Sequence, residues 1–553
     1  MGTEKIIEKK GFEADVARMM REPSLIISLL IVFLLFSTFI IFPLIKICLL
    51  PNLEDWGLFF SDRHFTTAFW NTLFSSCLAT LTAVLLGLGY SYAVNYSNIP
   101  GKGFFRFIVL LPLMAPSVIS GLAFIMLFGR NGMITRHMLG LRVDLYGWVG
   151  LWIVQTVAFF PLAYMTISGV LRSISPNIEL AAQNLGARGL RLFMTVTFPL
   201  ALPGLLSAFL LVAINSFADF GNPMLIGGKY SMLATEAYKQ ATGGEYNIAL
   251  ASVLSIVLLL PTLAVFFFQK YFLDRRSYVT VTGKPVAGLS REVVGPVGNV
   301  LLFLLCAIVS GYILLMFGIV ICFALTSNFG WDYTVTLSHF YEVFNRAGPM
   351  WNSWILSLTA AIITTILGIF TAFLIARKRF PGRGGLDFVA LLPIAMPGTF
   401  MGLALVSAFN GAPFHLTGTA IIIVIGMTLR QLPVGYRNAI SAFKQIDKSI
   451  EEASTNLGAN APKTFRLVVL PMLKNAVSTS LVYSFLKNMN TLSTVIFLTS
   501  PQWMLASVSI LGLADHGYYG KASATAMGMM LSIIVTFGIA KLFLGDKIRV
   551  FDL

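Results

Sequence analysis

The stretch "SPNIELAAQNLGARGLRLFMTVTFPL", residues 175–200, lies between two strongly apolar segments and is itself small-residued and lightly charged. It opens on Ser175-Pro176, a helix-start signal, and places Ile178, Ala182 and Leu185 on one helical face. Gly186 then ends that short helix, because Gly accepts the left-handed conformation that follows a last turn. A second short helix leads to Phe198-Pro199, where an apolar run begins. The spacing therefore predicts a helix–turn–helix elbow between two membrane spans.

The rest of the chain supports that setting. Of its 553 residues 57% are hydrophobic and only 11% charged, with a mean hydropathy of +0.81; soluble domains carry about 25% charged residues. Apolar runs able to cross ~30 Å of hydrocarbon recur throughout. They are too long and too uniformly apolar for barrel strands. About twelve spans are expected, near 25–48, 67–96, 104–128, 146–171, 200–226, 247–272, 298–326, 351–376, 386–409, 417–436, 473–498 and 522–544. The first is too long for a signal peptide and lacks a small-residue cleavage site. The class is all-α integral membrane.

The net charge of +15 is explained by topology rather than by nucleic acid. With the N-terminus taken as cytoplasmic, 28 of the 39 Lys and Arg fall in cytoplasmic segments and 8 in external ones. The other 3 (Lys46, Arg430 and Lys487) fall within or at the ends of spans. That is the positive-inside bias, and it puts both termini in the cytoplasm; attraction to anionic membrane lipid is a secondary effect. Cys48, Cys77, Cys306 and Cys322 all fall in apolar runs without metal-type spacing, so they read as small core or lipid-facing residues.

The chain is written twice. "WNTLFSSCLATLTAVLLG" from Trp70 matches "WNSWILSLTAAIITTILG" from Trp351, an offset of 281. At that offset "LLPLMAPSVISGLAF", with Pro112, Pro116 and Gly121, meets "LLPIAMPGTFMGLAL", with Pro393, Pro397 and Gly402. After the next loop the offset is 272, pairing Pro161 with Pro433, Gly186 with Gly458 and Pro199 with Pro471. Both halves are reached after an even number of crossings, so the repeat is parallel, with a shared central pathway implied. The expected organisation is a cytoplasmic segment 1–24, a first half 25–272 of about six spans, a polar Gly/Pro-bearing cytoplasmic linker 273–297, and a second half 298–553. The elbow accordingly has a twin, "DKSIEEASTNLGANAPKTFRLVVLPM", from Asp447, with Ile450, Ser454 and Leu457 on one face. One such elbow fits an amphipathic linker on lipid headgroups as well as a docking site. Two with the same Gly-to-Pro spacing favour a partner with two equivalent faces.

These residues carry a resemblance. Glu179-Leu180-Ala181-Ala182…Gly186…Phe198-Pro199 and Glu451-Glu452-Ala453-Ser454…Gly458…Leu470-Pro471 resemble the EAA loop of prokaryotic ATP-binding-cassette importer permeases. The fused two-loop chain is similar to the ferric-iron importer permeases and the related thiamine and phosphonate permeases over nearly its whole length. The resemblance implies a type I importer permease fold in the prokaryotic cytoplasmic (inner) membrane. It also implies EAA loops seated on two copies of a cytoplasmic ATPase that binds ATP and Mg, and an external solute-binding protein that delivers cargo. Two departures stand out: Leu180 occupies the place of Glu452, and Ser454 that of Ala182, so the two ATPase contacts are expected to be unequal. The chain has no G-x-x-x-x-G-K-[ST]; its nearest approach, "GGKYS" at 227–231, lacks the upstream Gly and the hydroxyl after Lys. It is therefore expected to be a transport subunit and not an enzyme.

Candidate pathway residues are Asn215 and Asp219 in the first half and their counterparts Lys487 and Thr491 in the second, since intramembrane polar and charged groups are functional candidates. The same positions fit a plainer role, with Asp219 capping the segment beyond it and Lys487 paired locally. Pro112, Pro116, Pro393 and Pro397 either shape helices for packing or bend them beside the path. Arg430 is expected to snorkel towards the cytoplasmic surface. His64, His137, His339, His415 and His516 all fall in external segments, none with a second ligand at helical spacing, so no metal site is expected. Ferric iron is the first expectation for cargo, with thiamine, 2-aminoethylphosphonate or a sugar phosphate as alternatives. An ion-coupled secondary carrier would need several intramembrane acids, and a membrane enzyme would need paired acids or His clusters.

Overall fold

The computed structural model describes residues 19–20, 22–244, 246–273, 294–330, 332–345, 348–412 and 414–544. Most of the 1–24 segment and of the 273–297 linker lies outside the described residues, as does 545–553. Helices dominate; the one small sheet among the described residues pairs Thr326–Asn328 antiparallel with Asp332–Val335.

Among the described residues eight helices are long and apolar enough to cross a membrane, and up to 11 segments qualify if each bent helix pair counts as one span. The helix Ala420–Gln445 is also long, at 26 residues, but carries Arg430, Arg437 and Lys444. It is the counterpart of Trp148–Ser173, 272 residues earlier at both ends. The duplication read from the sequence extends to helix boundaries. Pro176–Asn184 matches Lys448–Asn456 at the same offset, while Tyr96 and Arg377 end matching helices at 281.

The third and ninth spans are not single helices. Lys102–Met114 meets Ile119–Met138 at 105°, and Arg383–Ile394 meets Gly398–Phe409 at 110°. Each break sits at the paired prolines, which withhold an N–H and clash with the preceding turn: Pro112 and Pro116 in the first half, Pro393 and Pro397 in the second. The fifth and eleventh spans begin and end earlier than the sequence suggested. Their helices stop at Phe217 and Met489, again 272 apart, and the chain continues as short turns.

The chain forms two compact units that are a different division from the halves of the sequence. One unit comprises 1–51, 351–505 and 531–552. The other comprises 52–350 and 506–530 together with the final residue. In the first, the helix Pro23–Leu49 packs against second-half segments, with Phe39 and Phe42 flanking Phe409 at ring distances of 5.6 and 6.0 Å. In the second, Pro296–Leu325 packs on first-half helices, Ser310 hydrogen-bonding the buried Tyr90 at 2.9 Å. Close backbone approach replaces bulk between the matching spans: a Cβ on Gly87 would lie 2.9 Å from that of Ala163, and one on Gly368 3.0 Å from the backbone of Gly435. Small residues at such contacts are the usual means of helix association in lipid.

Candidate functional site

Each elbow is built by the same local rules. Pro176 opens the helix Pro176–Asn184, its missing N–H costing nothing at a first turn, although Ser175 at the cap position makes no side-chain capping bond. The second helix, Lys448–Asn456, is capped in full, with Asp447 accepting the Ser449 N–H at 2.9 Å. That backbone N–H holds the Asp447 carboxyl below the usual carboxylate range. Both helices end in a Schellman turn. Gly186 at φ +90° donates to Gln183 and Ala187 to Ala182; Gly458 at φ +84° donates to Thr455 and Ala459 to Ser454. The chain then turns through a single wide (π) turn, Phe193–Thr197 or Phe465–Val469, immediately before Phe198-Pro199 or Leu470-Pro471. A proline at that position has no N–H for the turn before it, which suits a locally loosened ladder.

The conserved geometry hides different anchors. Glu179 is buried and accepts a hydrogen bond from Thr197 Oγ1 at 3.0 Å. Its counterpart Glu451 forms an ion pair with Arg377 at 2.6 Å; the arginine side chain is only 8% exposed and also donates to Ile446 O at 2.8 Å. Tyr96 stands at the Arg377 position of the first half. Ser454 shares a 3.0 Å hydrogen bond with Thr464, where the first half has Ala182 and the buried Leu192. The substitution at Ser454 is thus matched by a second polar residue inside the same elbow. Ala181, Ala453 and Glu452 face solvent, and Ala182 is half-buried. Leu185 and Leu457, each 89% exposed at the elbow corner, form with Ile178 and Ile450 an apolar surface that each elbow leaves outward. Pro199 and Pro471 are likewise exposed, at the start of the following helices.

The pathway candidates divide between the two units. Asp219 lies just beyond Phe217, buried, and accepts from Gln155 Nε2 and Asn222 Nδ2, both at 3.0 Å. It also takes the Asn222 backbone N–H at 3.5 Å, a marginal bond at the head of the segment Gly221–Ile226. Asn215 donates to Leu211 O, one turn back in its own helix. In the other unit Lys487 lies over the Tyr483 ring at 5.8 Å, and Thr491 donates to Lys487 O at 2.8 Å. The helix breaks pack on each other within each half: a Cβ on Gly121 would meet Asn222 Oδ1 at 3.1 Å, and one on Gly402 would meet Thr494 O at 2.5 Å. Asn222 and Thr494 are themselves counterparts.

Arg430 corrects one expectation. It does not run to the surface; its guanidinium turns to the carbonyl oxygens of Met396, at 2.5 Å, and Pro393, at 3.4 Å. The break at Pro393 and Pro397 leaves carbonyls without helical donors, and a half-buried arginine supplies them. The first half has Ala158 at that position, so the repeat gave no hint. Among the histidines, His64 pairs with Glu236 at 3.0 Å, and His339 contacts Thr326 O at 3.1 Å. Among the described residues no cluster of three metal-type ligands occurs.

Two tandem helical repeats, each with a helix broken at paired prolines and an outward-facing elbow, define a multi-pass transport permease. The comparisons agree: the model for the binding-protein-dependent transport system inner membrane component matches residues 79–278 and again 364–546, and the chain belongs to that family. It is similar to the ferric transport system permease protein FbpB of Actinobacillus pleuropneumoniae, 33% identical over 551 residues covering 95% of this chain and 79% of the relative. A putative ferric transport system permease protein FbpB 1 of Haemophilus influenzae is 34% identical over 516 residues, 88% of this chain and 80% of the relative. The molybdenum transport system permease protein ModB of Escherichia coli is 29% identical over 199 residues, which is 34% of this chain but 86% of ModB.

Proposed function

We propose that this chain forms the alternating-access pathway of an ATP-driven importer whose cargo is ferric iron. The observation that carries the importer reading is the pair of elbows with matched Schellman turns and outward Leu185 and Leu457. Exposed apolar corners rimmed by polar residues mark interaction sites, and two alike fit two copies of one ATPase subunit that binds ATP and Mg. The chain carries no phosphate-binding loop of its own. The iron assignment rests on similarity to two permeases described as ferric transport proteins across most of this chain.

In this reading the elbows lie in the cytoplasm with both termini, and the external loops receive a solute-binding protein. The organisation is two permease halves, 25–272 and 298–553, joined by the 273–297 linker. The breaks at Pro112, Pro116, Pro393 and Pro397, with Asn215 and Lys487 on the matching helices and Asp219 and Thr491 just past their ends, border the path that nucleotide-driven elbow movement opens to either side. No bond of the cargo is made or broken. The test is uptake into proteoliposomes holding this chain and its ATPase, with iron-loaded binding protein outside. ATP-dependent accumulation of labelled ferric iron is expected. Uptake that persists without the ATPase would overturn the importer reading, whereas ATP-dependent uptake of thiamine, a phosphonate or a sugar phosphate but not iron would overturn the cargo alone.

A further inference from the structure

At the end of the second half that carries its elbow, the helices Pro349–Arg377, Arg383–Leu391 and Ala420–Gln445 leave a cavity of about 640 Å³. Four cations line it: Arg377, Arg383, Lys444 and Lys448. Among the described residues one carboxylate does, Asp387, whose Oδ1 accepts from the Tyr436 hydroxyl. Arg377 is committed to Glu451 and Ile446 O, but among the described residues Arg383, Lys444 and Lys448 have no ion-pair partner. With the Asp387 charge set against Arg383, Lys444 and Lys448 the concavity stays net positive, and its like charges repel one another. The deeper wall is apolar, with Ile440 and Phe443.

In the first half the corresponding positions carry Tyr96 for Arg377, Lys102 for Arg383, Arg172 for Lys444 and Pro176 for Lys448. Tyr96, at the Arg377 position, is buried and donates to Leu171 O at 3.2 Å. Arg172, at the Lys444 position, donates to Asn95 at 3.0 Å, and Asn95 in turn to Ser168 at 2.9 Å. The repeat therefore puts a cation at the Arg383 and Lys444 positions of both halves, while Arg377 and Lys448 are the second half's own.

We propose that this cavity binds a phosphate-bearing anion, either the headgroup of an anionic phospholipid or a free phosphate, and that its occupant bears on the second elbow through Arg377. Basic pockets between spanning helices are a known means of holding anionic headgroups, and the volume lies in the ~300–1,000 Å³ range of small-ligand sites. Cationic rim and apolar wall together suit a headgroup with the first carbons of its chains. Lys448 is the first residue of the elbow helix and Arg377 holds that helix by Glu451, so the anion contacts the elbow at two points.

The test uses the full chain in phosphatidylcholine nanodiscs, titrated with phosphatidylglycerol or with inorganic phosphate. Bound species are counted by native mass spectrometry, and hydrogen exchange is followed at Lys448–Asn456. The variant is Arg383→Gln with Lys444→Gln and Lys448→Gln, all exposed side chains. A charge-matched control removes Lys463, Lys474 and Lys541, which lie outside the cavity. Wild type and control are expected to bind at least tenfold more tightly than the cavity variant, with slowed exchange in the elbow on binding. Binding of phosphatidylglycerol that phosphate fails to displace identifies a lipid; saturation by phosphate alone identifies a free anion. Equal affinity of the cavity variant and wild type for both probes would overturn the proposal. This readout needs no transport, so its failure is separate from failure of the importer reading.

Discussion

The pair between Glu451 and Arg377 is the point at which the second elbow is fastened to the membrane-embedded body. Exposed pairs contribute about 0–1 kcal/mol, whereas breaking a buried one by removing a single partner costs about 3–5 kcal/mol. With exposures of 21% for the glutamate and 8% for the arginine, Glu451→Gln falls between these limits, at about 2 kcal/mol. Since each 1.4 kcal/mol is a factor of ten, local opening of the elbow should rise by about thirtyfold. Hydrogen exchange of the amides in Lys448–Asn456 reads that opening directly on the purified chain. The companion variant Arg377→Gln also loses the Ile446 contact and its 5.5 Å approach to the Phe443 ring, so it should open the elbow further. The double variant should then be little worse than Arg377→Gln alone, because the two residues share one interaction. Additive effects, or unchanged exchange in Glu451→Gln, would refute the claim that this pair holds the elbow.

Three further outcomes follow from the same geometry. Gly186→Val and Gly458→Val meet no atom within 4 Å but force a β-branched residue to φ near +90°, at about 1–2 kcal/mol or more each. ATP hydrolysis by the assembled transporter should then uncouple from uptake while thermal stability in detergent changes little. Gly204→Ala places a Cβ 2.3 Å from Val170 and should lower stability by about 1–3 kcal/mol, read as a lower Tm, with the elbows unaffected. Glu236, in the amphipathic helix Leu233–Thr242, is opposed by burial but carried below its ordinary range by hydrogen bonds from Lys239 and His64. A depressed carboxylate stabilises the fold above its unfolded value, and that stabilisation disappears as pH falls through the folded value. Glu236→Gln should therefore lower the Tm at pH 7, and the difference from wild type should vanish below the carboxylate range; a constant difference across that interval would exclude the linkage.

Much of the architecture was legible because it is local or repeated. Gly186 and Gly458 announce their turns by the conformation only glycine takes cheaply, and the offsets of 281 and 272 carry over to helix ends such as Tyr96 against Arg377 and Ser173 against Gln445. Apolar length alone misjudged the fifth and eleventh spans, because hydrophobicity continues past Phe217 and Met489 although the helices do not. At the first of these ends Asp219 is held by Gln155, 64 residues earlier in the chain, a partner that periodicity does not reveal.

The features that distinguish the halves were the least legible, and for one reason. A repeat exposes what two copies share; an interaction present in only one copy needs two non-repeating residues from distant segments. Arg430 with the carbonyls of Pro393 and Met396, Arg377 with Glu451, and Ser454 with Thr464 are all of this kind. In the first half the same positions hold Ala158, Tyr96 with Glu179, and Ala182 with Leu192. All three pairs sit in the second half, at its helix break or its elbow. The inequality between the elbows that Leu180 and Ser454 hinted at therefore lies less in the faces they present than in their footings. The second elbow is tied by charge to the end of a spanning helix, beside a cationic cavity, whereas the first half holds Tyr96 at the Arg377 position. A partner pressing equally on Leu185 and Leu457 would meet a different restoring force at each, so symmetric ATPase motion would reach the two halves unequally.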